Sequence, residues 1–181
     1  VLSIARKNGK TALIACLALV HLVGPEAITN GEIYSAATER EQAGVVFRYA
    51  AQIVRAEPEL DRLLKIVDST KTIVNFGNGS FFRAISAEAG SKHGLNPSLV
   101  IYDELAQAKN RDLYDVLDTS MGARNEPLMA IISTQSNDPK HVLSEIIDDG
   151  LKSNDPTSCV HLHCVPDDAE DALGNEELWK L

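Results

Sequence analysis

The sequence predicts an α/β protein built on a mostly parallel central sheet with helices on both faces. Three observations carry this. Short apolar runs alternate along the chain with longer segments of helical spacing. Two of the runs, residues 99–102 and 128–132, are apolar at successive positions, the pattern of strands buried on both faces. A chain of 181 residues, 44% apolar but only 5% aromatic, also suits one domain with an aliphatic core.

In chain order, residues 1–4 read as a short buried strand and Arg6-Lys7-Asn8-Gly9 as a turn. Residues 11–23 are strong helix formers, apolar on nearly every face, which predicts a buried helix that Gly24-Pro25 ends. Residues 32–36 form a second strand. Thr38 is placed to cap the next helix, with Glu41 three residues on completing a capping box. That helix runs to about Arg55 on the spacing of Val45, Val46, Tyr49, Ile53 and Val54, and Pro58 starts another helical turn through Leu64. Residues 72–76 and 81–85 alternate around Gly77-Asn78-Gly79, a hairpin signal. Residues 86–97 are rich in Gly, Ser and Asn and read as a loop. A strand over 99–102 ends in Asp103-Glu104, and a helix spans 112–121. The strand over 128–132 ends in Ser133-Thr134-Gln135. A helix over 141–151 and a strand over 160–165 follow.

The formal net charge of −9 argues against a basic protein that wraps nucleic acid, so any DNA contact needs a local basic patch or neighbouring subunits. Asp167, Asp168, Glu170, Asp171, Glu176 and Glu177 crowd the C-terminus and read as a solvated tail or linker. Three cysteines, Cys16, Cys159 and Cys164, fit a reducing compartment rather than a disulfide scaffold. Cys159, His161 and His163 alternate on one face of a strand, an arrangement read as an ordinary strand because a zinc site draws ligands from more than one element. The longest apolar stretch, 12–23, is too short to cross a bilayer, so no membrane association is expected. The abrupt opening and close lead us to expect a piece of a longer protein.

Three constellations carry chemistry. Gly9-Lys10-Thr11 stands between a strand and a helix. Bound triphosphate needs inward backbone N–H groups, a cation and a hydroxyl for Mg²⁺, which Gly9, Lys10 and Thr11 supply at a helix N-terminus. The usual phosphate loop has another glycine five residues before Gly9, where Ile4 stands here. The second constellation is Asp103-Glu104 at the end of a buried strand, where carboxylates are costly without a purpose. The third is Ser133-Thr134-Gln135, small hydroxyls and an amide able to sense a γ-phosphate. All three fall at strand C-terminal ends, where ligands bind in open α/β sheets.

These motifs resemble those of phage terminase large subunits, the DNA-packaging motors. Arg6-Lys7-Asn8-Gly9-Lys10-Thr11 looks like their variant Walker A motif, Val100-Ile101-Tyr102-Asp103-Glu104 their Walker B motif, and Ser133-Thr134-Gln135 their coupling motif. Met121-Gly122-Ala123-Arg124 followed by Pro127-Leu128 also resembles tailed-phage terminases. The resemblance implies a P-loop NTPase fold of the RecA-like, additional-strand catalytic-glutamate type. The strand carrying Ser133 should then lie between the phosphate-loop strand and the Walker B strand.

It also implies ATP and Mg²⁺ as cofactors. ATP would lie against Arg6, Lys7, Asn8, Gly9, Lys10 and Thr11, with Thr11 and Asp103 toward the metal. Glu104 would activate water, and Ser133, Thr134 and Gln135 would couple hydrolysis to movement. Two candidates stay open for a catalytic arginine: Arg6 within its own subunit, and Arg124 reaching a neighbour. Implied partners are double-stranded DNA, a portal protein, a small terminase subunit, and further copies in a homo-oligomeric ring during packaging, with a monomer in isolation. The location would be the host cytoplasm, at the portal vertex of the procapsid. On this reading residues 1–165 are the motor domain. Residues 166–181 are an acidic linker toward a nuclease domain absent from this chain, so DNA cutting is not expected of it. The rivals are a helicase-like or other DNA-translocating ATPase, a docking domain that binds nucleotide without turnover, and a small-metabolite kinase, for which no arginine-rich lid is found.

Overall fold

The computed structural model describes residues 1–5, 8–86 and 94–164. Its strands are β1 (Leu2–Ser3), β2 (Glu32–Ala37), β3 (Leu64–Val67), β4 (Thr72–Asn75), β5 (Ser80–Ser86), β6 (Leu99–Asp103), β7 (Leu128–Ser133) and β8 (His161–Leu162). They form one sheet in the order β3-β4-β5-β2-β6-β7-β1-β8. β4 runs antiparallel to both neighbours, and the other described pairings are parallel. The helices are α1 (Lys10–Val23), α2 (Arg40–Ala56), α3 (Pro58–Leu63), α4 (Asp112–Ser120) and α5 (Val142–Lys152). The fold is therefore α/β with a mostly parallel sheet, and β7, which carries Ser133, lies between β6 and β1.

β6 shows why its sequence lacks polar alternation. Leu99 and Ile101 point into one core with Ile14, Ala18 and Leu22 of α1 and Val46, Ala50 and Val54 of α2. Val100 and Tyr102 point into the other, with Leu113 and Leu117 of α4 and Leu143 and Ile147 of α5. Both faces are covered, so residues 99–102 carry apolar or aromatic side chains, and the one charge, Asp103, stands at the strand's end. The strand ends are stitched sideways: Ile4 N–H donates to Ser133 O at 3.2 Å, and Glu104 N–H donates to Ile132 O at 2.8 Å. The chain leaving β1, β6 and β7 is thus registered at one edge of the sheet.

Three local expectations are corrected. Leu64 belongs to β3, not to the helix begun at Pro58, and residues 64–67 pair with β4. The run after Leu60 keeps helical spacing, but antiparallel pairing with β4 overrides it. No Thr38 capping box forms: α2 begins at Arg40, and its N-cap residue is Glu39 without a side-chain cap bond. Nor is α1 buried all round, because Leu13 is 57% and Val20 is 38% exposed on its outer face. Among the described residues no helix is long and apolar enough to cross a membrane, and no group of three or more His, Cys, Asp or Glu is placed to hold a metal.

Candidate active site

The turn from β1 into α1 is set by Gly9. Its φ of 71° and ψ of 12° lie in the left-handed region, which favours glycine. A Cβ built there would meet nothing within 4 Å, so the requirement is conformational rather than one of space. Leu13 N–H donates back to Gly9 O at 3.1 Å and closes the first helical turn. Asn8 donates from its amide to Ala5 O at 3.2 Å, bracing the loop. Arg6 and Lys7 lie outside the described residues.

Lys10 is 8% exposed, an unusual burial for lysine that needs partners. Its ammonium donates to Ile4 O at 2.7 Å and Ala5 O at 3.2 Å, and lies 3.6 Å from Glu104 Oε1. Glu104 sits just past β6 with a left-handed φ of 55°, a strained setting for a non-glycine residue of the kind found where geometry is imposed. Its other carboxylate oxygen, Oε2, accepts from Thr134 Oγ1 at 3.3 Å and from Thr134 N–H at 3.4 Å. The end of β7 therefore touches the acid at the end of β6, which in turn touches the lysine at the start of α1.

Asp103 is only 3% exposed. Burial, and then the neighbouring charge of Glu104, push its carboxyl up to about 6, with Gln42 and Lys10 pulling the other way. Gln42 Nε2 donates to Asp103 Oδ2 at 3.3 Å.

Two cavities meet here. One of about 480 Å³ is lined by Gly9, Lys10, Thr11, Ala12, Gln42, Tyr49, Glu104 and Gln107. A smaller one of about 120 Å³ is lined by Thr38, Glu39, Gln42, Asp103, Glu104, Gln107 and Lys109. Gln42, Glu104 and Gln107 line both. The hydroxyl of Thr11 and the carboxylate of Asp103 bring to these walls the hard oxygen donors that suit Mg²⁺.

The third motif divides. Ser133 is fully buried, and its hydroxyl accepts from Ala106 N–H at 3.0 Å, fastening the turn that follows Glu104. Thr134 contacts Glu104 directly, while Gln135 is exposed beyond it. Arg124 is elsewhere. Its guanidinium donates to Asn96 O at 2.9 Å and Asn30 O at 3.0 Å, on the segments that enter β6 and β2, the opposite edge of the sheet from Lys10. It lines a separate cavity of about 580 Å³ with His21, Glu26, Ile28 and Ser98. In its own chain Arg124 fastens two strand entrances. Sequence reading misses Gln42 and Tyr49. They are seven apart, one face of a helix, and α2 leaves the same sheet edge as the motifs; that spacing is the available signal.

The family model of the terminase large subunit ATPase domain matches residues 1–152. The terminase large subunit of Enterobacteria phage HK97 is 42% identical over 181 residues, 99% of this chain and 36% of that protein. The crystal structure of the HK97 large terminase superposes with a TM-score of 0.87 at 43% identity, over 93% of this chain and 36% of that one. The ATPase domain of the Thermus phage P74-26 large terminase shares the fold, with a TM-score of 0.67 at 18% identity over 90% of this chain and 70% of that one. The chain thus spans about a third of the length of its HK97 relative. Its residues 1–152, with the three motifs at one sheet edge, make it a member of the terminase large subunit ATPase-domain family.

Proposed function

We propose that this chain binds ATP with Mg²⁺ at the cavity beside Lys10 and hydrolyses it to drive double-stranded viral DNA into a procapsid. The observation that carries the hydrolytic part is the chain of contacts Lys10–Glu104–Thr134, which joins all three motifs at one cavity.

The roles follow from the chemistry of each group. The N–H groups at the start of α1 and the ammonium of Lys10 take the outer phosphates. Thr11 and Asp103 hold Mg²⁺, which when bound neutralises charge on the phosphate oxygens. Glu104 orients and deprotonates the attacking water, a role suited to a carboxylate held by two donors from Thr134 and by Lys10. Phosphate competes with Glu104 for the Lys10 ammonium, so occupancy changes what Thr134 feels through Glu104. Thr134 and Gln135 pass that change along the chain after β7. Arg6 is the better candidate for a catalytic arginine within the subunit, since Arg124 faces the other edge. Arg124 keeps only the trans role, toward a neighbour in a ring.

By its family the full protein would act with a portal protein and a small terminase subunit at the portal vertex, in the host cytoplasm, as a ring of copies. The 166–181 stretch, outside the described residues, would serve as the acidic linker. The large terminase of a thermophilic bacteriophage has been solved in complex with ADP, and it shares the fold at a TM-score of 0.60. The test is equilibrium binding of ATP by the chain with and without Mg²⁺, beside the Lys10→Ala variant. Mg²⁺-dependent binding that Lys10→Ala removes supports the reading; equal binding by both proteins refutes it.

A further inference from the structure

We propose that Gln42 is a positioning residue for Asp103, fixing how that carboxylate presents its oxygens to the metal side of the site. This deepens the reading of Asp103 as a Mg²⁺ residue and rests on it.

Asp103 closes β6, between β2 and β7. An ionised carboxylate has about four acceptor positions and a broad terminal torsion, so burial alone does not choose which oxygen faces which way. Gln42 supplies a choice: its Nε2 donates to Oδ2 at 3.3 Å. The donor comes from a firm place. Gln42 lies in the first turn of α2, a 17-residue helix anchored on the sheet and α1 by buried Ala43, Val46, Phe47 and Ala50. A group held by a packed helix positions more sharply than one on a loop. The two cavities of the site also share Gln42 as a wall, so its amide stands where a group bound in the larger one meets Asp103 in the smaller. Its amide donates to this acid rather than to a helix end or a strand. Partners of this outer kind commonly change metal affinity by about 10–100-fold when removed.

The experiment is a Mg²⁺ titration of the full chain and of Gln42→Leu, which removes the donor and keeps the apolar stem. Binding of a fluorescent ADP analogue is followed at fixed nucleotide, with parallel titrations in EDTA and a thermal midpoint. We expect the Mg²⁺ half-saturation point to rise about tenfold in the variant, with a much smaller change in metal-free nucleotide affinity and a midpoint lowered by no more than one lost hydrogen bond gives. An unchanged Mg²⁺ requirement overturns the proposal. So does joint loss of metal-free binding and thermal stability, which would make Gln42 a structural residue. If the parent chain itself shows no Mg²⁺-dependent binding, the reading of the site fails and this inference with it; if the parent does and Gln42→Leu matches it, only the role of Gln42 fails.

Discussion

The Lys10 ammonium and the Glu104 carboxylate stand 3.6 Å apart with side chains only 8% and 13% exposed. Each therefore offsets a charge that would otherwise be poorly solvated. Removing one partner leaves the other stranded, which is costlier than removing both. We expect Lys10→Ala to lower stability by up to about 3 kcal/mol. Adding Glu104→Gln should return roughly 1 kcal/mol of it. Denaturant unfolding of the two single variants and the double gives the coupling; strictly additive losses would mean the pair is not felt.

Gly9 offers a second check. Its left-handed backbone has room for a side chain but penalises one conformationally. Gly9→Ala should cost about 1–2 kcal/mol, and Gly9→Asn less, because asparagine tolerates this region better. Equal losses in the two variants, by thermal or chemical unfolding, would point to steric crowding instead.

Asp103 sets a pH dependence. Its carboxyl is raised to about 6, so the folded state favours the protonated form. The resulting contribution to stability is complete below about pH 4 and is lost as pH rises through about 6. Asp103→Asn, which carries no charge at any pH, should then be more stable than the parent by about 1–3 kcal/mol at pH 8 without Mg²⁺. The difference should fade toward pH 4. Unfolding curves across that range check it; a constant difference would mean the gain has another origin.

Arg124 should prove structural within its own chain. Arg124→Ala removes its hydrogen bonds to Asn30 O and Asn96 O and should cost about 1–2 kcal/mol, with nucleotide affinity unchanged. If rings of Arg124→Ala alone are inactive, as rings of Glu104→Gln alone should be, rings mixed from the two then separate the remaining possibility. Recovered turnover would give Arg124 a trans role, and no recovery in assembled rings would remove it.

How much of this is legible in the sequence depends on how local each signal is. The Gly9-Lys10-Thr11 turn, the Asp103-Glu104 strand end and the run over 128–133 are contiguous, and each keeps its element in the fold. The hairpin around Gly77-Asn78-Gly79 does too. Leu64 escapes local reading because its strand exists only through pairing with Asn75 across the sheet. The exposed face of α1 escapes it because an apolar helix does not announce which side is covered. Arg124 stands beside Gly122 in a segment that reads as free to reach outward, yet two backbone carbonyls distant in sequence hold it at the other sheet edge. Gln42 is one of two glutamines in an amphipathic helix, and its partner is 61 residues away.

Comparing Glu104→Gln with the parent in the full-length protein tests the central claim most directly, with ATP binding and phosphate release measured on the same samples. The amide keeps the shape and can still meet Thr134, but cannot take a proton from water. The account predicts binding within a few-fold of the parent and turnover reduced by about 10²–10⁴. Turnover at the parent's rate, with binding intact, would contradict it.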